Sequence, residues 1–386
     1  MSVSRTIMGY RRNDGRCGLR DHVLVLSTVA LTNRWAELIA RTRDDCLLIA
    51  GETIRGARGG DAEAQDRLVL DLARHPSVGA ALLLTQDPVS AGRLRDALGN
   101  AGRPVEVLSL LDCAGMADAV ERGRRALQTL AGARDASAEA IGLGGLTLAL
   151  ECGGSDPTSA LASNAAIGRF VDRVVEAGGT AIVSETAEFI GTERIVSERT
   201  PDAETRDAIL AHVARRERWH AEDGEDYRGT NPTAENIAGG LTTLVEKSMG
   251  AVAKTGTSPF VGALAFGEAP KRSGLHFMDS PFFTPLSLTG MVGAGANVAL
   301  FGIGQFNPSA NPLVPTIKVC GNARTARRWA DAIDVDASVV LSEDASLDEM
   351  ADRIHSAVAD AGAGRPTAAE RWGEGQFIMP RNHAPL

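Results

Sequence analysis

Pairs of closely spaced cysteines are missing from this chain. Its five cysteines (17, 46, 113, 152 and 320) are odd in number and widely separated, and no C-x-x-C occurs. That excludes a disulfide framework and a zinc ribbon, and it predicts reduced thiols and a cytoplasmic location. Aromatic residues are scarce at 4%, so a core must be packed from Ala, Leu, Val and Ile. No apolar run approaches the ~20 residues a spanning helix needs, and Met1 to Arg12 has no apolar signal core. No long basic tract exists and the net charge is −9, which argues against nucleic acid and anionic membrane surfaces as partners. Glycine-rich nucleotide motifs are also absent. The first strand candidate leads into Thr28-Val29-Ala30-Leu31-Thr32-Asn33, without a glycine, and there is no Gly-x-x-x-x-Gly-Lys-Ser/Thr.

Hydrophobic residues make up 44% of the 386, enough for a sizeable core and for two or three domains. Short apolar runs alternate with helical patterns. Strands are predicted at His22–Thr28, Cys46–Ala50, Val78–Leu84 and Val105–Leu110, with helices between them. After a small, polar linker from Gly132 to Ala140 the pattern restarts, with strands at Leu146–Leu150, Thr180–Ser184, Val298–Ile303, Thr316–Val319 and Ser338–Leu341. Helices are predicted at Ser163–Ala177, Thr200–Glu222, Ala238–Val252 and Leu347–Ala361. The tail after Gly364 reads as loosely ordered. Strands separated by helices of this length predict α/β architecture: two doubly wound, mostly parallel-sheet domains with helices on both faces, over 1–132 and 141–386.

The densest polar chemistry lies at two predicted strand ends. Glu151-Cys152-Gly153-Gly154-Ser155-Asp156 follows one strand, and Ser184-Glu185-Thr186 follows the next. In a βαβ unit both strands run the same way, so these loops emerge on one edge of the sheet, where open α/β sheets bind ligands. Asp156 and Glu185 are candidate acid, base or ligand groups. Gly153 and Gly154, with Ser155, are candidates for backbone approach to an anion. The plainer alternatives are a buried structural Cys152, an N-capping Asp156 and glycines in an ordinary turn. Lys247 and Lys254 lie seven residues apart, nearly on one helix face, and are candidates for holding a carboxylate or acting as base; a solvated face is the alternative. Asp279 is a further candidate, and Arg16 and Arg20 are candidate carboxylate clamps. His22, His75, His212 and His276 read as structural.

Several blocks together resemble the altronate/galactarate dehydratase family. They are Gly9-Tyr10-Arg11-Arg12-Asn13-Asp14-Gly15-Arg16-Cys17-Gly18-Leu19-Arg20, Leu148 to Asp156 with its Cys-Gly-Gly-Ser-Asp, Gly179 to Thr186, Gly239 to Lys254, and Phe277-Met278-Asp279-Ser280-Pro281. The resemblance implies a lyase that eliminates water from a sugar acid or another small 2-hydroxy carboxylate. It also includes the large subunit of sulfolactate sulfo-lyase, which eliminates sulfite. It implies a divalent metal, Fe(II) or Mn(II), with Cys152 and Glu185 as candidate ligands. A homo-oligomer is expected. Because the chain opens close to the Asp-Gly-Arg block, a separate small subunit is expected too. Two segments depart from the family pattern: Gly51 to Gly59 has neither His nor Cys, and Thr85-Gln86-Asp87-Pro88 replaces a Gly-Cys-Glu. A non-catalytic binding or assembly subunit that has lost the metal is therefore the competing expectation.

Overall fold

A computed structural model describes residues 6–99, 101–134, 137–222, 224, 230–342 and 344–381. By internal contact the chain forms two compact units. One contains residues 9–139 with 312–314 and 376–386; the other contains 1–8, 140–311 and 315–375. The architecture is the expected mixture of parallel sheets flanked by helices.

The first unit carries strands β1 (His22–Ser27), β2 (Cys46–Ala50), β3 (Val78–Thr85) and β4 (Val105–Ser109), all parallel, in the order β2-β1-β3-β4. Helices α1 (Asn33–Ala40), α2 (Gly60–Ala73), α3 (Pro88–Leu98) and α4 (Met116–Gly132) connect or follow them. β3 is buried along its whole length and reads as an unbroken apolar run, as a central parallel strand with both faces covered must. Val23, Val25, Leu82 and Leu84 pack with Ile39 of α1 and Leu127 of α4 to make the core of this unit.

The second unit is built on seven parallel strands. They are β5 (Thr147–Gly153), β6 (Thr180–Val183), β7 (Phe260–Leu264), β8 (Gly274–Met278), β9 (Val298–Ile303), β10 (Thr316–Cys320) and β11 (Val335–Asp336), in the order β7-β8-β6-β5-β9-β10-β11. β5 and β6 are neighbours in register, with Leu148 opposite Ala181 and Leu150 opposite Val183. Their carboxyl ends therefore open side by side. Around the sheet lie α5 (Ala165–Glu176), α6 (Ala203–Glu222), α7 (Leu244–Ala253), α8 (Thr284–Gly293) and α9 (Leu347–Gly362). No helix among the described residues is long and apolar enough to cross a membrane.

Four details depart from the sequence reading. β5 runs three residues further than Leu150, so Glu151 and Cys152 belong to the strand end and not to a loop. Ser338–Leu341 is not a strand: Ser338–Val340 is a 3₁₀ turn, because the Asp336 carboxylate accepts from both the amide (2.9 Å) and the hydroxyl (2.6 Å) of Ser338 and bends the chain. The segment between Asn231 and Phe283 holds β7 and β8 in addition to the expected helix, and α8 follows at once. The tail after Gly364 contains a capped helix, α10 (Ala368–Trp372), anchored by buried Ala368 and Ala369 and closed by reciprocal bonds between Thr367 and Glu370.

Candidate active site

The carboxyl ends of β5 and β6 bring three glutamates together. One ligand oxygen from each of Glu151, Glu185 and Glu188 lies within 4.8 Å of the others, and all three residues are buried. Glu151 is fixed by the strand, its carboxylate accepting from the Cys152 amide (3.0 Å) and from the Ser287 hydroxyl of α8. Glu185 and Glu188 come from the turn after β6. That turn is 3₁₀ (Thr186–Phe189), and three-residue spacing in such a turn places two side chains on one side.

Glu185 is held in an unusual backbone conformation. Its φ is 63°, and it is the one non-glycine residue among those described with a positive φ. For a residue with a Cβ this geometry costs about 1–2 kcal/mol and persists only where the surroundings impose it. Here they do. The Ser280 hydroxyl, at the end of β8, binds the Glu185 amide at 3.0 Å, the Glu188 amide donates to the Glu185 carbonyl at 2.8 Å, and the Phe283 amide donates to Glu185 Oε1 at 3.1 Å.

Two lysines of α7 and its C-terminal end face the same cluster. Lys254 Nζ lies 2.9 Å from Glu188 Oε2 and 3.2 Å from Cys152 Sγ; Lys247 Nζ lies 3.6 Å from Glu188 Oε1. Both are buried, which decides against the solvated-face alternative. Lys247 also donates to Asn231 Oδ1 at 2.8 Å and sits over the Phe282 ring.

The protonation states follow from this arrangement. Burial and the neighbouring carboxylates raise Glu151 to about 7 and push Glu185 well above the ordinary glutamate range. Glu188, although equally buried, is held below that range by Lys254 and Lys247. Burial and Glu188 push the Cys152 thiol up to about 12, so at neutral pH it is a thiol and not a thiolate. Lys254 stays charged, raised by Cys152 and the carboxylates against the cost of burial. With all side chains ionised, three carboxylates face two ammonium groups. Both ammonium groups pair with Glu188, so Glu151 and Glu185 form a pair without an ion-pair partner among the described residues. A divalent cation among the three carboxylates would relieve that pair, and an all-oxygen, anionic donor set suits Mg, Mn and Fe(II). The residues present therefore fit a metal of that kind.

The other predicted residues fall in different places. Cys152 lies against Glu188 at 3.6 Å and donates weakly to it, outside the tight carboxylate triad. Asp156 has its carboxylate fully engaged: Oδ1 accepts from the Thr158 hydroxyl (2.6 Å) and the Ser159 amide (2.9 Å), and Oδ2 accepts from Asn322 (2.8 Å). This is the N-capping alternative, reinforced by an asparagine from after β10. Asp156, Ser155 and Lys247 line a crevice of about 10 Å³, room for one water. Gly153 and Gly154 are pressed by protein: a Cβ on Gly154 (φ 58°) would stand 2.1 Å from the Gln305 carbonyl. The Ser155 carbonyl accepts from Asn236 at 3.0 Å. Asp279 pairs with Arg215 and with His212 (3.4 Å) and accepts from Thr186 (2.7 Å), so it braces the turn that carries Glu185 and Glu188. Those partners hold its carboxyl at about 2 against the opposing effect of burial. Arg16 and Arg20 belong to the first unit. Arg16 forks onto Asp14 (2.8 and 2.9 Å) and donates to the Arg74 carbonyl, and Arg20 donates to the Leu19 carbonyl. Among the described residues His276 meets no acid; its Nε2 meets the Arg272 carbonyl at 2.9 Å.

Glu188 was missed from sequence, and Glu151 was seen but not chosen. The signal for Glu188 was its spacing: a second acid three residues beyond Glu185, directly after a strand end.

Comparison with known proteins shows the family. Residues 143–384 match the C-terminal domain of D-galactarate/altronate dehydratases, and residues 9–134 match the second domain of D-galactarate dehydratase/altronate hydrolase. The chain belongs to this family. It is 32% identical over 382 residues to (2R)-sulfolactate sulfo-lyase subunit beta of Chromohalobacter salexigens, covering 98% of this chain and 97% of that one. It is 29% identical to the altronate dehydratase of Escherichia coli, covering 96% of this chain and 76% of that one, and 28% identical to that of Bacillus subtilis, covering 88% and 70%. The protein is thus a lyase of the sugar-acid dehydratase type, the carbon–oxygen class to which its dehydratase relatives belong.

Proposed function

We propose that the protein catalyses β-elimination from a small 2-hydroxy carboxylate, with Glu151, Glu185 and Glu188 as the centre of the site. The observation that carries this reading is the buried triad with two lysines in contact. Burying three carboxylates whose ligand oxygens lie within 4.8 Å of one another is unfavourable unless a bound cation or the reaction uses them. Fe(II) or Mn(II) is the proposed metal; when bound, it would stabilise the negative charge that develops on the substrate carboxylate after proton removal.

The roles of the chain's own residues follow from their contacts. Glu188, fixed by both lysines, stays charged. Glu151 is held in place by Ser287 and the Cys152 amide. Glu185 receives a hydrogen bond on Oε1 alone among the described residues, so its second oxygen is available, once the carboxyl is ionised, to take the proton next to the substrate carboxylate. Lys247, engaged by Glu188 and Asn231, supports the charged state of Glu188 from the other side. Lys254 keeps Glu188 ionised. Asp156 and Asp279 act by holding the loops after β5 and β6.

Water is the proposed leaving group, by analogy with the dehydratases. The second reading is sulfite from sulfolactate, favoured by the near full-length match to the sulfo-lyase subunit, whose name also supports a separate partner subunit here. A cytoplasmic location is proposed on the free cysteines. Purified protein, reconstituted anaerobically with Fe(II) or Mn(II), is assayed against altronate, galactarate and (2R)-sulfolactate, reading 2-keto acid and sulfite separately. Keto acid without sulfite supports the first reading, and sulfite release supports the second. Metal-independent inertness on all three, in protein that binds no metal, would favour the non-catalytic subunit.

A further inference from the structure

The first unit contains a cavity that the lyase reading does not use. In its sheet the order β2-β1-β3-β4 reverses direction between β1 and β3, and loops that leave such a point diverge and open a crevice at the carboxyl edge. A cavity of about 500 Å³ occupies that place, lined by Thr28 and Val29 after β1, by Thr53 to Ala57 after β2 and by Thr85 at the end of β3. The volume is that of a small-molecule site.

Its polar lining is incomplete without a ligand. Thr53 is 6% exposed, and its hydroxyl is buried with no hydrogen-bond partner. A buried hydroxyl in that state is rare and needs an explanation. Arg93 of α3 also lines the cavity and has no ion pair or hydrogen bond among the described residues, whereas Arg55 on the same wall is already bound to Asp87 at 2.7 Å. Asp66 of α2 lines the cavity and is likewise unpaired. Val69 and Leu94 supply apolar wall between these groups. Thus the lining holds a buried hydroxyl without a partner, Thr53, and two exposed charged groups unpaired among the described residues, Arg93 and Asp66, beside apolar wall.

We propose that this cavity binds a small hydroxylated organic acid. Its carboxylate accepts from the Arg93 guanidinium and the Thr53 hydroxyl, its hydroxyl donates to Asp66, and its carbon chain lies against Val69 and Leu94. A nucleotide is disfavoured because the turn after β1 has no glycine to admit a pyrophosphate, and a metal because Asp66 is the one carboxylate in the lining, with no His or Cys. The proposal does not depend on the lyase reading.

The test is calorimetric titration of the full-length protein with D-gluconate and D-malate, with sorbitol, L-alanine and inorganic phosphate as comparisons. At least one hydroxy acid binds saturably, while sorbitol does not. Arg93→Gln and Thr53→Val each weaken that binding, Arg93→Gln by about tenfold or more, since it removes a charge-assisted bond. Arg93 is exposed enough to be replaced without repacking, so it carries the test alone if Thr53→Val does not fold. Crystals soaked in the binding acid show it on Arg93. Equal binding to wild type and Arg93→Gln overturns the proposal. So does absence of binding by either acid, or equal affinity for phosphate or L-alanine. Turnover lost in Glu185→Gln with gluconate binding unchanged bears on the triad alone, which keeps the two readings separable.

Discussion

Replacing Lys254 with Met removes one charge and almost no volume, and so isolates the electrostatic part of the triad. The Lys254 and Glu188 side chains are each 1% exposed and their charged atoms are 2.9 Å apart. At an effective dielectric near 20, two unit charges at that distance attract by roughly 6 kcal/mol, offset by the cost of taking both out of water. Removing one partner of a buried pair typically costs about 3–5 kcal/mol, because the other charge is left behind. Glu188 would keep Lys247 at 3.6 Å, so the low end applies: about 3 kcal/mol. Lys247→Met should cost less, about 1 kcal/mol, because its contact with Glu188 is longer and Lys254 remains. The assay is urea unfolding of both variants and wild type at pH 7.5, followed by far-UV circular dichroism. The reasoning is refuted if Lys254→Met unfolds within 0.5 kcal/mol of wild type (on the order of experimental error), or if Lys247→Met is the more damaging of the two.

Glu185→Gln should abolish turnover yet leave the metal-free protein as stable as wild type or more so, since it removes a buried carboxylate crowded by two others; thermal melts with and without chelator check this. Asp279→Asn should cost about 2 kcal/mol at pH 7. The Asp279 carboxyl is depressed to about 2, so its contribution is full above the ordinary carboxylate range and is lost as pH falls through about 2; the gap between variant and wild type should close between pH 4 and 2 (approximate bounds) in acid titrations. Cys152, with a thiol pushed up to about 12 and buried, should resist iodoacetamide at pH 8 in the folded protein and react on unfolding, as peptide mass spectrometry would read.

What could be seen in the sequence followed periodicity. β1 and β3 are short apolar runs between helical patterns, and they lie where that pattern put them. α8 was invisible because nine of its ten residues are buried and it includes two glycines, leaving no polar face to mark a helical period. Ser338–Leu341 misled because its apolar run looks like a strand, whereas the bend is set by one carboxylate two residues earlier. The site was half legible. Parallel strands made Glu185 a strand-end acid, and spacing alone suggested that Lys247 and Lys254 share a face. That Glu185 meets Glu151 and Glu188 while Asp156 is bound by Asn322 depends on the strand order around β5. For Asp156 a contact 166 positions away decided it, and no local pattern reports that. The positive φ of Glu185 was equally hidden, since it is imposed by Ser280 from another strand.

Manganese soaked into crystals of the full-length protein, and located by anomalous scattering, tests the central claim most directly. The account predicts one strong peak bounded by carboxylate oxygens of Glu151, Glu185 and Glu188 at about 2.0–2.3 Å, absent in Glu185→Gln. A peak coordinated by other residues, or none at these three at millimolar manganese, would contradict it.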